Sequence, residues 1–121
     1  MWTWKQATGE LVDGAGVTVG RGYSGDCEHY NNPASQEIPG VGPIPRGRYI
    51  IGNFFDDPGG KGPVVCRLTP IPPTNTFGRS GFMIHGDSAD NDHSASHGCI
   101  VLAHALRAAI SSSGDSILEV V

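Results

Sequence analysis

Residues Gly81 to Leu102 read GFMIHGDSADNDHSASHGCIVL, and the remainder of the chain is best understood outward from them. Gly81-Phe82-Met83-Ile84 has the apolar character of a strand that delivers His85 and Gly86. A loop of small and acidic residues follows, and Ser96-His97-Gly98-Cys99 leads into a second apolar run. One cysteine and two histidines are thus held on a single excursion out of a core, which makes it a candidate cysteine-nucleophile site.

Upstream, Trp2-Thr3-Trp4-Lys5-Gln6 alternates aromatic and polar residues, Thr8-Gly9 marks a turn, and Glu10-Leu11-Val12-Asp13 returns. This pattern predicts an amino-terminal β-hairpin. Val17-Thr18-Val19 continues the strand character, and Gly20 to Gly25 is expected to break it. Asp26 to Pro45 reads as a long irregular segment, a length that in a small domain covers something or serves a function. Gly47 to Phe55 predicts a central strand, Pro63 to Leu68 its returning partner, and the proline-rich Pro70–Asn75 another loop. Downstream of Cys99, the apolar positions Leu102, Leu106 and Ile110 fit one face of a short helix that starts directly after the cysteine and ends near Gly114. Ser116–Val121 closes the chain as a strand.

Composition agrees with short strands and many turns. Gly and Pro together make up 27 of 121 residues and charged residues only 17%, which describes one loop-rich unit over residues 1–121 rather than a long-helix protein. A formal charge of −4 without a Lys/Arg cluster provides no footprint for nucleic acid or an anionic membrane surface. No apolar stretch is long enough for membrane insertion. Met1–Gln6 lacks the features of a secretory signal, so the protein acts in the cytosol, leaves by a route needing no signal, or has lost one. Of the three cysteines, Cys27 and Cys66 could pair in an oxidising compartment and leave Cys99 as the reactive thiol.

Two competing motifs are weaker. Gly20-x-Gly22-x-x-Gly25 matches the dinucleotide fingerprint as a string, but the acidic, turn-like Asp26–Pro33 follows it where a helix is needed, so it reads as a glycine turn. His85, Asp87, Asp90, Asp92, His93, His97 and Cys99 offer metal-ligand chemistry within 15 residues. His93-x-x-x-His97 has helical spacing, yet Ser94-Ala95-Ser96 and Gly98 make a poor helix and the acids lack a calcium-loop order. A solvated acidic loop, with no metal and no cofactor, is the expectation.

His85-Gly86, a short loop and Ser96-His97-Gly98-Cys99-Ile100 together resemble the signature of the L,D-transpeptidase catalytic domain of the YkuD type. Gly42–Tyr49 is similar to the segment preceding a central strand in that family. Tyr23-Ser24-Gly25, Asn31-Asn32-Pro33 and Gly42-Pro43-Ile44-Pro45 resemble a small subfamily that includes type VI secretion effectors attacking the peptidoglycan of rival bacteria. The resemblance touches most of the chain from Tyr23 to Leu102. It implies a mostly β, sandwich- or barrel-like domain with one short helix after the catalytic cysteine.

By the same resemblance, Cys99 is the nucleophile, His85 the general base and the Gly86 carbonyl the group that orients the imidazole. The amides of His97, Gly98 and Cys99 form the oxyanion hole, with His97 as a positioning residue. Ser96, Arg79, Arg46 and Tyr23 are expected on the substrate, and Arg46, Arg48 and Arg79 are candidates for its carboxylates. The implied substrate is a peptidoglycan stem peptide, cleaved through a thioester. Water then gives an L,D-carboxypeptidase and an amine gives L,D-transpeptidase exchange. The implied setting is an effector acting in the periplasm of a target cell, delivered without a signal peptide, with an immunity protein as a further partner. Two alternatives are a phage-encoded lysis enzyme with the same chemistry and a domain that binds cell wall or a partner without catalysis. The chain departs from the family pattern in having Val101 where Arg or Asn is usual, and in placing only 13 residues between His85 and Cys99.

Overall fold

The amino-terminal alternation folds as predicted. In the computed structural model, which describes residues 1–26, 29–57, 62–86 and 98–121, β1 (Trp2–Lys5) and β2 (Glu10–Val12) form an antiparallel hairpin. Trp2, Trp4 and Leu11 point inward and are buried. β3 (Thr18–Arg21) extends the hairpin on its outer side.

Seven more strands complete the sheet. They are β4 (Tyr23–Ser24), β5 (Gly47–Ile51), β6 (Phe55–Asp57), β7 (Gly62–Pro70), β8 (Met83–His85), β9 (Ile100–Val101) and β10 (Ile117–Val120). Their spatial order is β3-β2-β1-β10-β5-β7-β8-β9-β4, with β6 pairing with β7 off this path. The first and last members of the order, β3 and β4, are joined through Gly22 alone. The sheet can satisfy that connection only by curling until its ends meet, and it is a nearly closed, barrel-like sheet.

Gly22 is where the curl is tightest. A Cβ placed there would collide with the Val101 carbonyl oxygen of β9, so only glycine lets the two backbones approach. The expected break over Gly20–Gly25 is therefore shorter than the glycines imply, because strand structure runs through Arg21 and resumes at Tyr23. The predicted Gly47–Phe55 strand likewise divides. β5 stops at Ile51, Gly52 donates its N–H to the Arg67 carbonyl (2.9 Å), and Phe55 begins β6 on the same partner strand.

The core lies inside the curl. Trp4, Leu11, Tyr49, Ile84, Ile100 and Leu118 come from six different strands and are buried together with Ile44 and Ile110. Ile110 belongs to the one α-helix of the described residues, α1 (His104–Ser113), which packs against β7 and ends at Gly114 in the left-handed conformation (φ 72°). Its carboxy-terminal end is where the sequence places it. Its start is not: β9 intervenes after Cys99, and the helix opens only at His104.

The irregular segment before β5 is tied down at its carboxy-terminal end. Ser24 Oγ accepts the Ile44 N–H at 2.8 Å, Gln6 Nε2 donates to the Ile44 carbonyl at 3.0 Å, and Tyr49 Oη donates to the Pro45 carbonyl at 2.8 Å. Buried polar groups on the barrel thus take up the loop's backbone, which a loop crossing a core surface requires.

Candidate active site

The strand register brings the histidine and the cysteine together. β8 and β9 are parallel neighbours, with Ile84 opposite Ile100 and His85 opposite Val101; Val101 in turn faces Tyr23 across the β9–β4 pair. Side chains alternate along a strand. Ile84, Ile100 and Ser24 therefore share the inner face, where Ser24 reaches Ile44, while His85, Val101 and Tyr23 stand side by side on the other. Cys99 immediately precedes Ile100, the first residue of β9. Its Sγ–H donates to the Gly81 carbonyl at 3.7 Å, just ahead of β8. The thiol and the imidazole are thus delivered by adjacent strands running in one direction.

His85 is 1% exposed, and its Nδ1 lies 2.7 Å from the carbonyl oxygen of Gly86. A carbonyl only accepts, so Nδ1 carries the hydrogen and the neutral ring keeps its lone pair on Nε2. The Leu102 N–H donates to the His85 carbonyl at 3.0 Å and locks the end of β8 to the chain beyond β9.

Beside the thiol lies a buried cation. Arg79 donates from Nη1 to the carbonyls of Gln36 (2.5 Å) and Pro43 (2.8 Å) and from Nη2 to that of Gly42 (2.9 Å). Its guanidinium rests 5.5 Å from the Phe82 ring centroid. A Cβ on Gly98 would collide with its Nη2, and Gly98 has φ 122°. Glycine is thus required there twice, by space and by backbone conformation. Burial lowers the Arg79 pKa, while Tyr49 and then Cys99 raise it electrostatically. The long irregular segment therefore has a definite role, since its carbonyls hold Arg79 against the turn that carries the thiol.

A helix starting directly after Cys99 would have set the positive end of its dipole on the thiol. A helix dipole acts within about one turn, and with β9 between Cys99 and His104 the helix is not what adjoins the thiol. Among the described residues the neighbouring positive charge is the Arg79 guanidinium, which favours a thiolate by direct Coulomb attraction.

The remaining expected residues divide. Tyr23 is buried on the face shared with His85 and packs edge-on against Tyr30, with centroids 6.0 Å apart. Arg46 and Arg48 border a different groove, of about 430 Å³, with Ile71, Pro72, Pro73 and Thr74, and Arg48 is paired with Glu119 at 3.1 Å. A second groove of about 300 Å³ is lined by Arg67, Leu68, Thr69, Gly81, Phe82 and Met83, and so includes the residue whose carbonyl receives the thiol. Ser96 and His97 lie outside the described residues, as do Cys27, Asp87, Asp90, Asp92 and His93. Cys66 is a free, fully buried thiol on β7 rather than half of a disulfide, and burial pushes it up to about 12, a backbone hydrogen bond to Ile84 acting the other way.

Two participants are not evident from sequence. One is the Gly81 carbonyl. The other is Arg107 of α1, only 5% exposed, whose Nη1 occupies the space a Cβ on Gly86 would need. Its one signal is its place one turn before Ile110 on the helix face that turns inward.

A nearly closed β barrel with a buried imidazole, a thiol at the head of the next parallel strand and a guanidinium locked behind that thiol is the class of domain these features define. The chain belongs to the Tlde1 domain family, a family of type VI secretion effectors, whose model matches residues 18–115. The match runs from β3 to just short of β10 and spans every site residue named above. No curated protein matches the chain significantly.

Proposed function

We propose that this chain is a peptidoglycan-modifying cysteine enzyme of the L,D-transpeptidase kind, acting on stem tetrapeptides in the periplasm of a target cell. The observation that carries the reading is the hydrogen bond from His85 Nδ1 to the Gly86 carbonyl, which leaves Nε2 as the basic nitrogen on the strand next to Cys99.

In the proposed reaction, His85 Nε2 takes the thiol proton and Cys99 Sγ attacks the carbonyl carbon at the L-centre of the stem diamino acid. The amides of His97, Gly98 and Cys99 receive the oxyanion. Collapse breaks the C–N bond, and the imidazolium returns its proton to the departing D-alanine amine. A thioester remains on Cys99. Water attacking it gives an L,D-carboxypeptidase product; the amine of another D-amino acid or stem gives exchange or a cross-link. Arg79 stabilises the thiolate from behind, and the groove through Gly81 and Phe82 receives the donor peptide. The Tlde1 match favours delivery by a secretion apparatus over the phage-encoded lysis alternative, and a producing cell would then carry an immunity protein.

Mass spectrometry of tetrapeptide-stem muropeptides tests the reading. Wild-type protein is expected to remove or exchange the terminal alanine, with Cys99→Ala inactive and His85→Ala reduced by at least about 100-fold. Unchanged muropeptide masses with folded wild-type protein would overturn it. Alkylation of Cys99 at the rate of an ordinary thiol, unaffected by His85→Ala, would point instead to a binding domain.

A further inference from the structure

Arg107 and Arg79 are both buried, yet among the described residues only Arg79 is supplied with acceptors. Arg79 has three backbone carbonyls and an aromatic face. Arg107 has no hydrogen-bond partner at Nε or Nη1 and no carboxylate within ion-pair distance among the described residues. Burying a guanidinium without compensation is costly. Burial alone sets the direction of its pKa, which is lowered. A guanidinium held in this way is suited to an anion that comes to it at the site.

Its position indicates what that is. Nη1 lies against Gly86, whose carbonyl holds the ring of His85, and glycine at 86 is what makes room for it. In the reaction proposed above, the departing amine is the α-amine of a D-amino acid. The α-carboxylate of that residue is two bonds from the nitrogen His85 must protonate, so a group that binds it must stand close beside the base.

Resting on that reading, we propose that Arg107 is the specificity residue that binds the α-carboxylate of the leaving D-amino acid. It makes the enzyme an exopeptidase, confined to stems whose last residue has a free carboxyl group. Val101, flanked in register by His85 and Tyr23, leaves this role to the helix, since its buried side chain can supply no charge.

The test compares a tetrapeptide stem ending in D-alanine with the same peptide ending in D-alaninamide. Wild-type protein is expected to favour the carboxylate, and Arg107→Gln to lower kcat/KM for it about 10- to 100-fold more than for the amide, the range of a charge-assisted hydrogen bond. Arg107→Lys should restore part of the preference. Arg107→Met should raise the melting temperature, because an uncompensated charge leaves the interior. An equal fall on both peptides, or a lowered melting temperature with no change in preference, would assign Arg107 a structural role and overturn the proposal.

Titrating Cys99→Ala protein with the two peptides separates binding from turnover. An Arg107-dependent carboxylate preference without wild-type turnover keeps the site and removes the reaction. Turnover without that preference does the reverse.

Discussion

Gly98 is the residue on which the geometry of the thiol turn depends most directly. Its φ of 122° is open to glycine and strained for other residues, and the Arg79 guanidinium fills the space a side chain would need. Arg79 cannot move aside cheaply, since three carbonyls hold it. Gly98→Ala should therefore destabilise the fold by about 1–3 kcal/mol in urea denaturation and slow alkylation of Cys99 in the folded protein. An alanine variant with wild-type stability and thiol reactivity would show that Arg79 does not support the turn. At this scale Cys99, His85 and Gly86 were legible because they lie in one local motif. Arg79 was legible as a cation but not in its use, because its partners Gln36, Gly42 and Pro43 are far away in sequence. Arg107 was legible only as a position on the inward helix face, since nothing near it in sequence shows that Gly86 lies against it.

Among the elements, the β7–β8 pair holds both the scaffold and a pH dependence. Cys66 on β7 is opposite Ile84 on β8, the residue before the proposed base. Its thiol is pushed from 9.0 up to about 12 by burial, and burial also raises the Tyr49 phenol on β5, against the smaller pull of Arg79. Both groups hold their protons more tightly when folded. The stability they contribute is complete below the unfolded pKa values and falls as the pH rises above about 9, where the unfolded chain ionises first. For Cys66 alone the slope is about 1.4 kcal/mol per pH unit. Chemical denaturation from pH 8 to 11 should show this decline, and Cys66→Val should reduce it; an unchanged slope would mean that Cys66 is not the group responsible. The strands themselves were largely legible by alternation. β9, of two residues, was not, because an apolar run leading into a helix has no period that separates a strand from the helix's first turn.

The whole molecule is closed by its termini and by one glycine. β10 lies between β1 and β5, pairing parallel with the first and antiparallel with the second, so the last residues join the first hairpin to the centre of the sheet. Leu118 is fully buried there, opposite Trp2 and Tyr49. Leu118→Ala should cost about 2–5 kcal/mol by urea denaturation while leaving the alkylation rate of Cys99 unaltered under native conditions. A loss of thiol reactivity in the folded variant would show that the termini and the site are coupled.

Local pattern by itself determined the short strands, the helix end at Gly114, the mostly β class and the histidine-to-cysteine motif, because each depends on residues close together in the chain. The tertiary structure alone decided that β3 and β4 meet through Gly22, that Arg79 rather than a helix terminus adjoins the thiol, that Cys66 is unpaired, and that Arg107 reaches Gly86. These are contacts between segments far apart in sequence, chosen by how a curled sheet packs its inner and outer faces, and no local period or propensity records them.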